Sequence, residues 1–237
     1  MKKIVIIGST GPTGRILTQR LCKANFPVTV IHRSDMQKEE FESWGATVVY
    51  GDAMGRTPYI ELLGQLAPKC DVLVNLLGGN PFNDPDAWPD YTGNVNAIDS
   101  AVKAGIRRFV FVTSVGTGQS EQYVPDGPRI YGEMLGLKTK AEEHLKQTSL
   151  DWTILKPGGL GPPNYEIQSG VPLITENHGV RGLIDRHDLA DVIFRAMFDD
   201  ATIHKELYAV VDRIETFAGK PESFSLVSLE GALAAEA

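Results

Sequence analysis

Apolar positions fall into two rhythms that take turns along the chain. Short unbroken apolar runs occupy Ile4-Val5-Ile6-Ile7, Val28-Thr29-Val30-Ile31-His32, residues 47–50, Val72-Leu73-Val74-Asn75-Leu76-Leu77, Phe109-Val110-Phe111-Val112-Thr113 and Trp152-Thr153-Ile154-Leu155. An unbroken run is what a strand covered on both faces requires, whereas a half-exposed strand alternates. Between the runs, apolar residues return at helical spacing, as Ile16, Leu17 and Leu21 do. The spacing predicts helices over 13–24, 36–44, 58–67, 90–104 and 130–147, with Gly45 and Gly105 as stops. Strand and helix taking turns in this way predict an α/β fold, a Rossmann-type doubly wound parallel sheet.

After Pro157 the rhythm breaks. Residues 157–180 are rich in Gly, Pro and Asn and are expected to be loop or short extended pieces. A helix over 186–199 with Asp185 as its N-cap, a strand over 206–211, and a short helix or frayed end over 228–237 complete the expectation. No linker-like stretch interrupts the chain, so residues 1–237 are expected to form one domain, with 157–237 a small C-terminal portion on the substrate side.

Composition narrows the function classes. Apolar residues make up 42% of the 237 positions, enough for a substantial core, and the formal charge of −7 argues against a general nucleic-acid binder. Cys22 and Cys70 are the two cysteines, a number that suits a reducing compartment and core positions rather than a disulfide framework. The apolar run after Met1-Lys2-Lys3 is only four residues long and closes at Gly8, too short for a signal peptide. No apolar run nears the roughly 20 residues that span a bilayer. The expectation is a cytoplasmic protein, monomer or homodimer, with a small-molecule substrate and neither a nucleic-acid nor a membrane partner. His32, His144, His178, His187 and His204 have no metal-ligand spacing, and no metal is expected.

The chemistry starts at Gly8-Ser9-Thr10-Gly11-Pro12-Thr13-Gly14, directly after the first strand and before the first helix. Gly8 suits a sharp turn off the strand. Gly11 suits close approach to a pyrophosphate, and Gly14 close packing of helix on sheet. The helix N-terminus offers free N–H groups to phosphates. In this strand–turn–helix setting the glycines predict a dinucleotide site made with Thr10, Pro12 and Thr13. The second strand ends at Arg33, 19 residues beyond Gly14. An NAD site favours an acid there, to hold the ribose 2′-hydroxyl; an arginine suits the 2′-phosphate of NADP. Arg15 is a second candidate cation, and Asp35 keeps NADH open as the less favoured cofactor. Asp52 and Ala53 after the third strand, Leu77, Gly78 and Gly79 after the fourth, and Thr113 at the end of the fifth fall on the same carboxyl edge, where open α/β sheets bind ligands.

These motifs, together with Phe111-Val112-Thr113-Ser114-Val115-Gly116, Lys138-Thr139-Lys140-Ala141-Glu142, Lys156-Pro157-Gly158-Gly159 and Ile184-Asp185-Arg186-His187-Asp188-Leu189-Ala190, resemble the atypical short-chain dehydrogenase/reductase superfamily. Within it the chain is similar to the NmrA-like, NAD(P)H-binding branch, which includes flavin and biliverdin reductases. The resemblance covers about residues 1–212. It implies that Ser114 is the active-site serine and that Lys138 holds the nicotinamide ribose. It also implies that Pro157, Gly158 and Gly159 bring backbone near the nicotinamide carboxamide.

The superfamily's tyrosine belongs four residues before Lys138, one helical turn away, but Met134 stands there and a thioether donates no proton. Tyr131 is seven residues before Lys138, roughly 10 Å along a helix, and is a candidate donor from the side or a packing residue. The resemblance therefore implies an NADPH-dependent reductase of a planar conjugated acceptor of flavin, tetrapyrrole or quinone type, with Ser114 orienting the acceptor and water or Tyr131 supplying the proton. Two other classes stay open: a redox sensor that binds NAD(P) without turnover, and an epimerase, dehydratase or assembly factor on the same scaffold. The acceptor pocket is expected within 79–92, 115–130 and 157–170. The aromatics Phe82 (after Pro81), Trp88 and Tyr91 either stack on a flat ligand there or tuck into their own loop.

Overall fold

The structure, a computed structural model, describes residues 1–80, 83–123, 129–161 and 167–234. Eight strands form one sheet in the order β3-β2-β1-β4-β5-β6-β9-β7. They are β1 (Ile4–Ile7), β2 (Val28–His32), β3 (Thr47–Tyr50), β4 (Val72–Asn75), β5 (Arg108–Val112), β6 (Asp151–Pro157), β7 (Leu173–Thr175) and β9 (Lys205–Val210). All pairings are parallel except β7 against β9. β8 (Val180–Leu183) and β10 (Asp212–Thr216) form a separate antiparallel ribbon, tied to the main sheet by a bridge between Gly159 and Leu183.

The unbroken apolar runs have the expected cause. Ile4 and Ile6 point into one core while Val5 and Ile7 point into the other. The first core takes Leu17 and Leu21 from α1 (Pro12–Lys23), Phe41 from α2 (Lys38–Ser43), and Leu189, Ile193 and Phe194 from α6 (Arg186–Met197). The second takes Tyr59 and Leu63 from α3 (Arg56–Leu66), Ala97, Ile98 and Ala101 from α4 (Thr92–Ala104), and Ala141 and Leu145 from α5 (Arg129–Lys146). The inner strands are thus buried twice, as a parallel sheet demands, whereas the edge strand β3 is half or fully exposed. α4 stops at Gly105, whose φ of 72° is the left-handed cap that glycine adopts without penalty. The Asp185 carboxylate caps α6 by accepting the His187 N–H, as its sequence position predicts. α7 (Leu229–Ala234) is the short terminal helix.

One correction concerns the second half. β8 and β10 were not expected; their residues, Val-Arg-Gly-Leu and Asp-Arg-Ile-Glu-Thr, are half or fully exposed apart from buried Val180 and carry no apolar run. The segment 205–210, expected as a strand over 206–211, is the seventh strand of the main sheet, pairing in parallel with β6. Buried Arg108 reinforces that junction. It donates to Asp151 O, Thr153 Oγ1, Ala196 O and Thr202 Oγ1, joining β5, β6 and the end of α6. Cys22 and Cys70 are unpaired and half-buried, one against each core, and burial pushes both thiols up, Cys70 to about 12. Among the described residues no helix is long and apolar enough to cross a membrane, and no group of His, Cys, Asp or Glu is placed to hold a metal ion.

Candidate functional site

The strand order reverses at β1, with β2 on one side and β4 on the other, and the chain leaves β1 at that point through Gly8. This is the topological switch point where open α/β sheets leave a crevice. Gly8 has a φ of +78°, and a Cβ there would lie 2.7 Å from the Leu76 carbonyl of the neighbouring strand end. Gly14 is closed in as well, since its Cβ would meet Gly8 O at 2.6 Å. Gly11 differs: a Cβ on it would approach nothing nearer than 3.6 Å. Protein packing therefore demands glycine at 8 and 14, whereas the space beside Gly11 is left for something else.

Two cavities open on the carboxyl edge of the sheet and share Gly8, Gly11 and residues 76–79. The first, about 460 Å³, is lined by Thr10, Arg33, Ser34 and Gln37 at one end and by Asp52, Ala53, Met54 and Tyr59 along its floor. The Asp52 carboxylate accepts the Met54 N–H at 3.0 Å, and Asn96 Nδ2 donates to Ala53 O at 2.7 Å, which fixes the turn after β3. The second, about 280 Å³, is lined by Pro12, Thr13, Gly14, Thr113, Lys138, Pro157, Leu160 and Arg186. Two buried hydroxyls on these linings have no hydrogen-bond partner among the described residues: Tyr59 in the first cavity and Thr113 in the second. Burial, with the Asp52 charge adding to it, pushes the Tyr59 phenol further up, so it stays neutral. Orphaned buried hydroxyls and an unfilled approach to Gly11 are what a bound dinucleotide would answer, so these residues fit NAD(P).

Most of the residues expected from the sequence meet on this edge: Gly8, Thr10, Gly11, Pro12, Thr13, Gly14, Arg33, Asp52, Ala53, Leu77, Gly78, Gly79, Thr113, Lys138 and Pro157 all line one cavity or the other. Gly158 and Gly159 stand just behind it, bonded to Ala209 O and Gly182 O. Two expectations change, those for Arg15 and Ser114. Arg15 turns away from the groove; it forms a two-pronged ion pair with Glu40 of α2 and lies over Trp44, so it adds no charge to the phosphate end. Ser114 is half-buried one residue beyond the lining, and Thr113 faces the cavity in its place. Trp88 is 4% exposed and its Nε1 donates to Asn80 O at 3.0 Å, so it tucks into its own loop and walls the first cavity rather than the second. Tyr131 lies on α5, but its side chain falls outside the described residues, as do Pro81 and Phe82.

Sequence reasoning missed the partners of these groups. Asp90 is fully buried; it meets the Lys138 ammonium at 2.9 Å and accepts the Gly79 N–H at 2.7 Å. Lys138 also donates to Leu77 O at 3.2 Å. One carboxylate thus places both the lysine and the turn after β4. Asn75 supports it, accepting the Leu77 N–H at 3.1 Å and donating to Asn94. A second network holds the loop after β5. The fully buried Lys156 ammonium lies 2.8 Å from Glu142 and 2.7 Å from Glu206 and donates to Thr117 O at 3.2 Å, while the Thr117 hydroxyl donates to Glu142. Burial acts against the Lys156 charge, but its two carboxylates outweigh it and its pKa rises. Burial likewise opposes charge on Glu206, where Lys156 and Lys146 prevail and its pKa falls. No local motif marks Asp90, one of three aspartates in 84–90, so only the fold singles it out.

Residues 8–200 match the model of the NAD(P)H-binding family. The chain belongs to that family. This accords with the atypical short-chain dehydrogenase/reductase resemblance read from the motifs. The photosystem II assembly factor Ycf39 of Guillardia theta is 25% identical over 86% of this chain, which spans only 63% of that relative's length. YhfK of Bacillus subtilis (strain 168), an uncharacterized sugar epimerase, is 26% identical over 84% of this chain and 90% of its own. Among solved structures, ChuY, an anaerobillin reductase from Escherichia coli O157:H7, superposes with a TM-score of 0.77 at 24% identity over 90% of this chain and 99% of its own. The fold is therefore Rossmann-like, and the chain carries the NAD(P)H-binding domain.

Proposed function

We propose that this NAD(P)H-binding protein is an NADPH-dependent reductase of a small planar conjugated acceptor, of flavin, tetrapyrrole or quinone type. One observation carries the reading: the second cavity is continuous with the dinucleotide groove and walled by Thr113, Lys138, Pro157 and Leu160, while buried Met134 occupies the place of a proton-donating side chain. A conjugated acceptor suits such a site, because its reduced form can take its proton from water. Bound NADPH would supply the hydride. The chain's own residues bind and orient. Lys138, held by Asp90 and Leu77 O, stands ready to grip a ribose, and Leu160 on the same lining offers the acceptor apolar wall. Proximity of the two bound molecules then supplies much of the rate.

The preference for NADPH rests on Arg33. It is exposed at the end of the first cavity beside Ser34 and Gln37, and no carboxylate pairs with it among the described residues. Asp35, the acid an NAD site would use, is not part of that lining. The likeness to ChuY supports a reductase with an extended conjugated substrate. Met134 favours a second reading, a sensor that binds NAD(P) without turnover. Steady-state oxidation of NADPH and NADH with flavin mononucleotide, biliverdin and menadione tests the proposal. Turnover with at least one acceptor is expected, and Arg33→Ala is expected to weaken NADPH by about 10–100-fold, from the loss of charge-assisted hydrogen bonds, while sparing NADH. Tight NADPH binding with no consumption by any acceptor would replace the reductase with the sensor.

A further inference from the structure

The second cavity contains a guanidinium that no acid among the described residues answers. Arg186, the first residue of α6, is half-buried and lines the same wall as Leu160 and Leu189. Its Nη1 donates to Leu160 O at 2.9 Å, which holds the planar group in place, and its other N–H groups have no partner among the described residues. No Asp or Glu pairs with it among the described residues. The neighbouring cations differ: Lys138 has Asp90, Arg15 has Glu40, Arg20 has Asp191, and Lys156 has Glu142 and Glu206. The two acids beside it in sequence are engaged elsewhere. Asp185 caps the helix, and Asp188 accepts from Ser169 Oγ at 2.9 and 3.0 Å and from Gly170 N at 3.2 Å.

A half-buried guanidinium without a counter-charge carries a desolvation cost that a ligand carboxylate or phosphate would offset. Its planar fork matches a carboxylate in two-pronged fashion, and its place at the start of α6 adds the positive end of the helix dipole. Leu160 and Leu189 supply apolar wall for the body of such a ligand. We infer that Arg186 is the carboxylate anchor of the acceptor, so that the substrate is a flat conjugated molecule bearing an acidic arm. This deepens the reductase reading and rests on it for the place of the acceptor. The pyrophosphate of a bound cofactor would be the other anion near this wall, because Gly11 and Gly14 line the same cavity.

The experiment separates the two. Isothermal titration of biliverdin and of its dimethyl ester into the protein saturated with NADP⁺ is compared for the wild type, Arg186→Gln and Arg186→Lys, with NADP⁺ affinity measured for each and folding checked by circular dichroism. The wild type is expected to prefer the acid over the ester. Arg186→Gln is expected to bind the acid about 10–100-fold more weakly, the worth of a charge-assisted hydrogen-bonded pair, with the ester and NADP⁺ little changed and Arg186→Lys intermediate. Equal binding of acid and ester, binding of neither, or an equal loss of NADP⁺ affinity in Arg186→Gln would overturn the inference. NADPH consumption is recorded separately. Arg186-dependent acid binding without turnover would sink the reductase and leave the anchor standing.

Discussion

Gly11 and Gly14 are three residues apart and answer to different demands. Gly11 has φ −70° and ψ 159°, angles any residue adopts, and a Cβ there meets only Gly8 O at 3.6 Å. Gly11→Ala should therefore change stability by less than about 0.5 kcal/mol while weakening NADPH binding at least tenfold. Gly14→Ala should cost about 1–3 kcal/mol, because its Cβ would overlap Gly8 O and Ser9 Cα. Urea unfolding and calorimetric titration of both variants decide this; equal destabilisation would return Gly11 to a packing role. The glycine triplet was legible in the sequence because each glycine sits at a fixed place between strand and helix. Asp90, Glu142 and Arg186 were not, since a charge in a loop or on a helix looks solvated until the fold supplies what it faces.

At the scale of elements, α5 is held to the sheet by more than its apolar face. Glu142 from α5, Lys156 from β6 and Glu206 from β9 form one ion network that also grips Thr117. Removing the central cation leaves Glu142 buried and uncompensated. Lys156→Met should cost about 3–5 kcal/mol, and Glu142→Gln in the same chain should return part of it. Denaturant midpoints of the single and double variants measure the coupling, and strictly additive losses would count against a network. Unbroken apolar runs made six strands of the main sheet readable. β8 and β10 escaped because β10 has no buried residue and β8 buries only Val180, too little to impose a pattern.

The molecule as a whole should be sensitive to acid through a residue of the second strand. His32 is buried, 4.6 Å from the Phe41 ring and 3.1 Å from Ser9 Oγ through Nε2, and burial lowers its pKa. The unfolded chain therefore takes up a proton near pH 6.5 that the folded chain resists, so stability is full above about 6.5 and declines as the pH falls below it. Urea midpoints at pH 7.5 and 5.5 should diverge in the wild type and less so in His32→Gln; identical slopes would remove His32 from the account. Because Ser9 belongs to the glycine loop, protonation at 32 also reaches the phosphate end of the groove.

Trp88 gives the molecule an optical readout of its own. The indole is fixed against Asn80 O inside the wall of the first cavity, whereas Trp152 lies tilted against His204 at the start of β6 and Trp44 lies beneath Arg15. A reduced nicotinamide absorbs where tryptophan emits, so occupancy of the groove is written into native fluorescence, with Trp88→Phe as its blank and no label to disturb the site.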